Sequence, residues 1–259
     1  MANNEVYIKI PCELFRGFAS TAEMRQECID KILDYAIYFY SEELGDVVKA
    51  CKFLNIKNEN NAAVKWSENG KRISRAISGK CYFSVGRDTL FEFKDKPKTF
   101  NQSVLLLGFL ALRSIQGKAR YFKASNGLLL ARMDGQDKPQ YFETEQINSK
   151  TGKKEFFRNV EGLQLHCHVL ARYATKYKMA QLRELLHKYY GVSFYTPKAI
   201  SRNGTEYSRK GFYFSVTMNQ EELIREVEFG ADAKLAKKKG GLKSETESIL
   251  EKIRNEKKG

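Results

Sequence analysis

Residues 172–218, "RYATKYKMAQLRELLHKYYGVSFYTPKAISRNGTEYSRKGFYFSVTM", hold the side chains best suited to chemistry on a polyanion. Lys176, Lys188, Lys198, Arg202, Arg209 and Lys210 are cations of the type that neutralise phosphates and release condensed counterions. Gln181 and Arg183 each present two donors or a donor–acceptor pair, the equipment for bidentate bonds to purine edges. His187 lies one helical turn after Arg183. Together these residues could bind nucleic acid, some reading bases and most positioning the backbone.

The charge distribution supports one shared surface. Residues 170–217 carry 9 basic and 2 acidic side chains, and residues 94–138 carry 9 basic and 3 acidic, whereas residues 1–44 carry 4 basic and 8 acidic. Half of the net charge of +14 therefore falls in less than a fifth of the chain, the footprint of a polyanion binder. A basic surface that merely keeps the protein soluble is the plainer alternative.

Two elements must position these groups. The first is a helix over about 171–190, with Leu182, Leu185, Leu186 and Tyr189 turned inward. Its opposite face then shows Lys176, Gln181, Arg183, Glu184, His187 and Lys188. The second is a hairpin built from "VSFY" and "GFYFSVTM", with Asn203-Gly204 suited to a turn of positive φ and Arg202, Arg209 and Lys210 near its tip. The aromatic side chains of these strands read as core rather than as a platform for bases.

The remainder of the chain reads as scaffold. With 259 residues, 42% of them hydrophobic, one large or two small globular domains are expected. "EVYIKIP" alternates as a strand, and Ser20-x-x-Glu23 opens a long helix that ends near Leu44. "GDVVKACKFLNI" and "NGKRISRAIS" read as shorter helices; "KCYFSV" and "LFEF" fit a strand or a short helix. "KDKPKTFN" is a candidate boundary. After it, "QSVLLLGFLALRSI" is apolar nearly all round, as a buried central helix must be. Ser125 or Asn126 can cap a short helix ending at Gly135. "YFETEQI" and "KEFFRNV" flank "NSKTGK" as a hairpin within residues 136–162, and Asn219 caps a closing helix. The tail from 231 to 259 is charged and broken by Gly240-Gly241, so it is expected to be flexible or marginally helical.

In order, the second half gives a buried helix, a short strand or turn, a second helix, a long basic helix, a basic hairpin and a closing helix. This order resembles the winged-helix family of DNA-binding domains. "SNGLLLARMDG" stands as the first helix of a helix-turn-helix, "RYATKYKMAQLRELLHKYYG" as the recognition helix and the following hairpin as the wing. The insertion at 136–162 is far longer than the turn such domains use. The resemblance implies base contacts from Gln181 and Arg183, and phosphate or minor-groove contacts from Lys198, Arg202, Arg209 and Lys210.

A second resemblance is to the HUH endonucleases, carried by "LHCHVLARYATKYK". It implies a divalent metal on His166 and His168 and nucleophilic attack by Tyr173 or Tyr177. Only four residues separate His168 from Tyr173, too few for a strand to turn and return the hydroxyl over its own metal. These histidines are therefore expected to be structural, and the tyrosines to pack at helical spacing.

The chain contains no Walker loop and no GxGxxG, and its five cysteines lack a CxxC pair. It has no signal-peptide pattern, and its longest apolar run, "VLLLGFLAL", is too short to cross a bilayer. The expectation is a cytosolic, mainly helical α+β protein with no cofactor, no metal and no membrane association. Residues 1–96 form an accessory α+β region, available for dimerisation or for a second DNA contact through Lys71, Arg72 and Arg75. Residues 97–230 form a winged-helix-like module for double-stranded DNA, and 231–259 the tail. A replication initiator or transcriptional regulator of a phage, plasmid or other mobile element, without catalytic motifs, fits this pattern. The alternatives are the nickase and a module that binds an acidic protein partner.

Overall fold

The computed structural model describes residues 6–57, 62–95, 100–141, 144–147, 154–157, 163–200, 206–208 and 211–239. The chain is a mainly helical α+β protein with small antiparallel sheets.

The first strand, β1 (Tyr7–Pro11), buries Ile8 and Ile10 and turns Tyr7 and Lys9 outward, as its alternation requires. A 3₁₀ turn (Cys12–Phe15) carries the chain to α1 (Ala22–Leu44). Thr21, not Ser20, caps this helix: its hydroxyl accepts the N–H of Met24 at 3.3 Å. Asp46 caps α2 (Val47–Phe53) through the N–H groups of Val48 and Lys49. α3 (Ala62–Ala76) then lies against α1 at Gly70. A Cβ there would stand 2.1 Å from the Asp34 carbonyl oxygen, so only glycine allows this approach. β2 (Tyr82–Gly86) pairs with β1 with Ile10 opposite Phe83 and Ile8 opposite Val85, all four buried. The ambiguous "LFEF" falls in a helix, α4 (Arg87–Asp95). The boundary expected near 94–101 centres on residues 96–99, which lie outside the described residues.

α5 (Phe100–Gln116) holds the centre, with Val104, Leu106, Leu107, Leu110, Ala111 and Leu112 buried and contacts to both β2 and the later helices. β3 (Phe122–Ala124) leads into α6 (Asn126–Met133), where Ser125 accepts the N–H of Leu128 at 3.1 Å. The inserted hairpin pairs β4 (Thr144–Ile147) with β5 (Lys154–Phe157). The expected single helix over 171–190 is two: α7 (His168–Ala171), then α8 (Lys176–Tyr190), which Thr175 caps by accepting the N–H of Lys178. A residue with extended backbone at 175 cannot continue a helix, so Tyr173 precedes α8.

β6 (Ser193–Tyr195) follows α8 directly, and β9 (Phe212–Ser215) lies between β6 and β3 in a three-stranded antiparallel sheet. Between β6 and β9, β7 (Lys198–Ile200) pairs with β8 (Glu206–Ser208). Phe212 and Phe214 face the core, as expected of strand aromatics in a packed domain. α9 (Gln220–Lys239) closes the fold. Asn219 and Glu222 cap it reciprocally, the Asn219 side chain accepting the N–H of Glu222 at 2.9 Å and the Glu222 carboxylate accepting the N–H of Asn219 at 3.3 Å. The helix continues through 231–239, the first part of the tail expected to be flexible or marginally helical; residues 240–259 lie outside the described residues.

Candidate nucleic-acid interface

α8 is anchored by Met179, Leu182 and Leu186, all fully or almost fully buried. Leu186 sits over Gly108 of α5, where an added Cβ would come within 3.2 Å of its methyl group. One turn on, the ring of Tyr190 stacks on Phe109 with centroids 4.5 Å apart and planes 11° from parallel. Tyr190, not Tyr189, therefore completes the inward face; Tyr189 is 62% exposed. The reason is spacing: Leu182, Leu186 and Tyr190 recur every four residues, along the line that meets α5. Burial raises the Tyr190 phenol above its usual pKa, and Glu92 adds to this.

The opposite face of α8 is open. Tyr177, Gln181, Glu184 and Lys188 are exposed and follow one another at spacings of four, three and four. Lys176 is also exposed, and the ammonium of Lys188 lies 5.5 Å from the Tyr189 ring centroid. Sequence reasoning assigned Tyr177 to packing, yet it is 72% exposed. Its signal was its register with Gln181, which places it on the solvent stripe.

Arg183 corrects the expectation of a solvent-facing base reader. It is half-buried on the flank of α8, where Nη1 donates to Asn126 Oδ1 of α6 at 2.9 Å. Its guanidinium carbon lies 5.0 Å from the centroid of the Phe212 ring in β9. Burial lowers its pKa from the usual arginine value, with Glu184 acting in the opposite direction. Arg183 thus joins α6, α8 and β9, a role that periodicity could not reveal because Asn126 lies 57 residues away. His187 is exposed, but its Nδ1 donates to the Val192 carbonyl at 3.0 Å, which ties the ring to the turn after Gly191. That turn uses a left-handed Gly191 with φ 66°.

Of the hairpin residues, Lys198 opens β7 opposite Ser208. Arg202, Arg209 and Lys210, and the Asn203-Gly204 turn, lie outside the described residues. In the first half, Lys71, Arg72 and Arg75 are exposed on α3.

The histidine pair is held differently from the expectation for a metal-binding strand. Residues 164–167 are not in a strand, and His168 begins α7. The carboxylate of Asp134, fully buried at the end of α6, accepts the N–H of His166 at 2.6 Å, the N–H of Cys167 at 2.9 Å and Gln136 Nε2 at 2.8 Å. His166 Nδ1 stands 3.0 Å from the same carboxylate. This network pins the segment after the inserted hairpin onto α6. Sequence reasoning missed Asp134 because nothing in the local pattern distinguishes it from a surface aspartate in a helix-ending turn. Among the described residues, no group of three or more His, Cys, Asp or Glu side chains could hold a metal ion, and no helix is long and apolar enough to cross a membrane.

No protein-family model, curated protein or solved structure matches this chain.

Proposed function

We propose that the protein binds double-stranded DNA through the open face of α8, with the β7–β8 hairpin acting as a wing along the backbone. The observation that carries this reading is the pairing of β6 with β9 directly after α8. It places the β7–β8 pair in the connection between two strands of the sheet that begins directly after α8, so the basic hairpin follows the basic helix with only β6 between them. Helices α5, α6 and α8 with this sheet follow the element order of winged-helix domains, and the β4–β5 hairpin is an insertion into it.

The major groove, about 12 Å wide, admits an α-helix. Gln181 suits adenine and Glu184 suits the cytosine amino group, while Tyr177 and Lys188 extend the same stripe at either end. Lys176, Lys188, Lys198, Arg202, Arg209 and Lys210 supply phosphate contacts. Arg183 acts behind this surface by fixing α8 to α6. A replication initiator or transcriptional regulator of a mobile element is the proposed setting, with Lys71, Arg72 and Arg75 available as a second contact.

Selection from a random duplex pool tests the proposal. The wild-type chain should enrich a defined motif, and Gln181→Ala should relax one position of it while Lys188→Ala weakens all sequences alike. Recovery of no motif, with equal retention of all duplexes, would remove the base-reading role of α8.

A further inference from the structure

The β1–β2 ribbon turns four side chains outward: Tyr7, Lys9, Tyr82 and Ser84, all exposed. The solvated face of an antiparallel pair is ordinarily polar, yet two of these four are tyrosines, 49% and 38% exposed. Each ring has a cation against it. Lys9 Nζ lies 4.7 Å from the Tyr82 centroid, and the guanidinium carbon of Arg113 lies 5.4 Å from the Tyr7 centroid. The same Arg113 is 5.8 Å from the Phe109 centroid, and Phe109 stacks on Tyr190 at the end of α8. Aromatic faces and cations therefore alternate from the ribbon to Phe109 on α5, where the series ends in the ring stack with Tyr190. A cavity of about 280 Å³ opens along this path, lined in part by Tyr7, Ser84, Phe109, Arg113 and Tyr190.

We infer that this surface binds unpaired nucleic acid, stacking bases on Tyr7 and Tyr82 and neutralising the strand with Lys9 and Arg113. A duplex hides the faces of its bases, so exposed rings on a ribbon have nothing to stack on there. An unpaired strand offers a π-face at every base and a phosphate between them, matching the alternation seen here. Glu92 also lines the cavity and repels phosphate. It therefore favours a base in the cavity and the backbone on the Lys9 side. The choice of ligand class rests on the nucleic-acid reading above, but the surface is distinct from the open face of α8.

The test is fluorescence anisotropy on the full chain with labelled oligo(dT), labelled oligo(U) and a blunt duplex. Tyr7→Ala and Tyr82→Ala should each weaken oligo(dT) binding about thirtyfold, the central effect of losing one stacked base, and leave duplex binding unchanged. Tyr7→Phe and Tyr82→Phe keep the π-face and should bind as wild type does, which separates stacking from loss of fold. Equal binding of oligo(dT) and oligo(U) would support a site for the strand chemistry they share, and a preference would show that the site also reads the 2′-hydroxyl or the thymine methyl group. Retention of oligo(dT) affinity in the alanine variants would overturn the inference. So would a parallel loss of duplex and oligo(dT) binding, or no oligo(dT) binding by the wild type. Tyrosine-dependent oligo(dT) binding by a chain that ignores duplex would sustain this site and refute the duplex proposal.

Discussion

Replacing Arg183 by alanine should destabilise the fold more than it alters base preference. The wild-type side chain makes a charge-assisted hydrogen bond to Asn126 and covers the Phe212 ring. A hydrogen bond involving a charged group contributes about 1.5–3 kcal/mol, and a partly exposed cation–π contact about 0.5–1 kcal/mol. Asn126 is itself half-exposed, so water can replace the lost donor and offset part of the loss. The expected cost is about 2 kcal/mol, or a fall in Tm of roughly 4–8 °C for a chain near this size. Urea unfolding followed by circular dichroism gives the first figure directly. A double-mutant cycle with Asn126→Ala should return a coupling of about 1 kcal/mol, because the two residues share one bond. An unchanged urea midpoint in Arg183→Ala, together with a changed base preference, would refute the assignment and return Arg183 to the reading face.

Gly70→Ala should cost about 3 kcal/mol, the upper part of the range for overpacking, because the new methyl meets the Asp34 carbonyl and the Tyr38 side chain at the α1–α3 contact; thermal unfolding measures it. Asp134→Ala removes the acceptor of two backbone N–H groups in a buried site and should cost about 3 kcal/mol or more. Hydrogen exchange should then show lost protection at the amides of His166 and Cys167. Partial burial of Asp137 disfavours its charge. The Cys81 thiol and the N–H groups of Lys80 and Cys81 more than offset this, and they hold its carboxyl below the ordinary aspartate range. With the folded pKa depressed, the stability Asp137 contributes is complete above the unfolded value near 3.9 and is lost as pH falls through the lower folded value. Asp137→Asn should flatten that acid limb of the urea midpoint against pH, and an unchanged limb would contradict the assignment.

The sequence made the elements legible where period and cap chemistry agreed. Alternation in "EVYIKIP" and the apolar run of α5 correspond to what the chain forms, and of the two residues that could cap α6 it is Ser125 that does so. It was less informative where either of two neighbours could serve. Ser20 and Thr21 both carry a hydroxyl, and only the backbone decides which one meets the N–H of Met24. Tyr189 and Tyr190 are equally apolar by type, and Phe109, far away in the chain, selects the second. Arg183 illustrates a further limit. Periodicity gives the centre of a buried stripe, but its width depends on what packs beside it, here Asn126 and Phe212. Nor could local pattern reveal that the partner of β1 is β2, across three helices, so nothing local marks the tyrosines of the ribbon as one surface.

On the proposed reading, α8 and the β7–β8 hairpin hold duplex DNA through phosphate contacts around the exposed stripe of α8. That reading stands or falls on how duplex affinity depends on salt. If Lys176, Lys188, Lys198, Arg202, Arg209 and Lys210 each neutralise one phosphate, log K against log salt should fall with a slope of about −5, since each contact contributes about −0.9. Lys188→Ala should reduce the magnitude of that slope by about 1. A flat response from low to physiological salt, in wild type and variant alike, would rule out a phosphate-contacting surface on α8 and the hairpin.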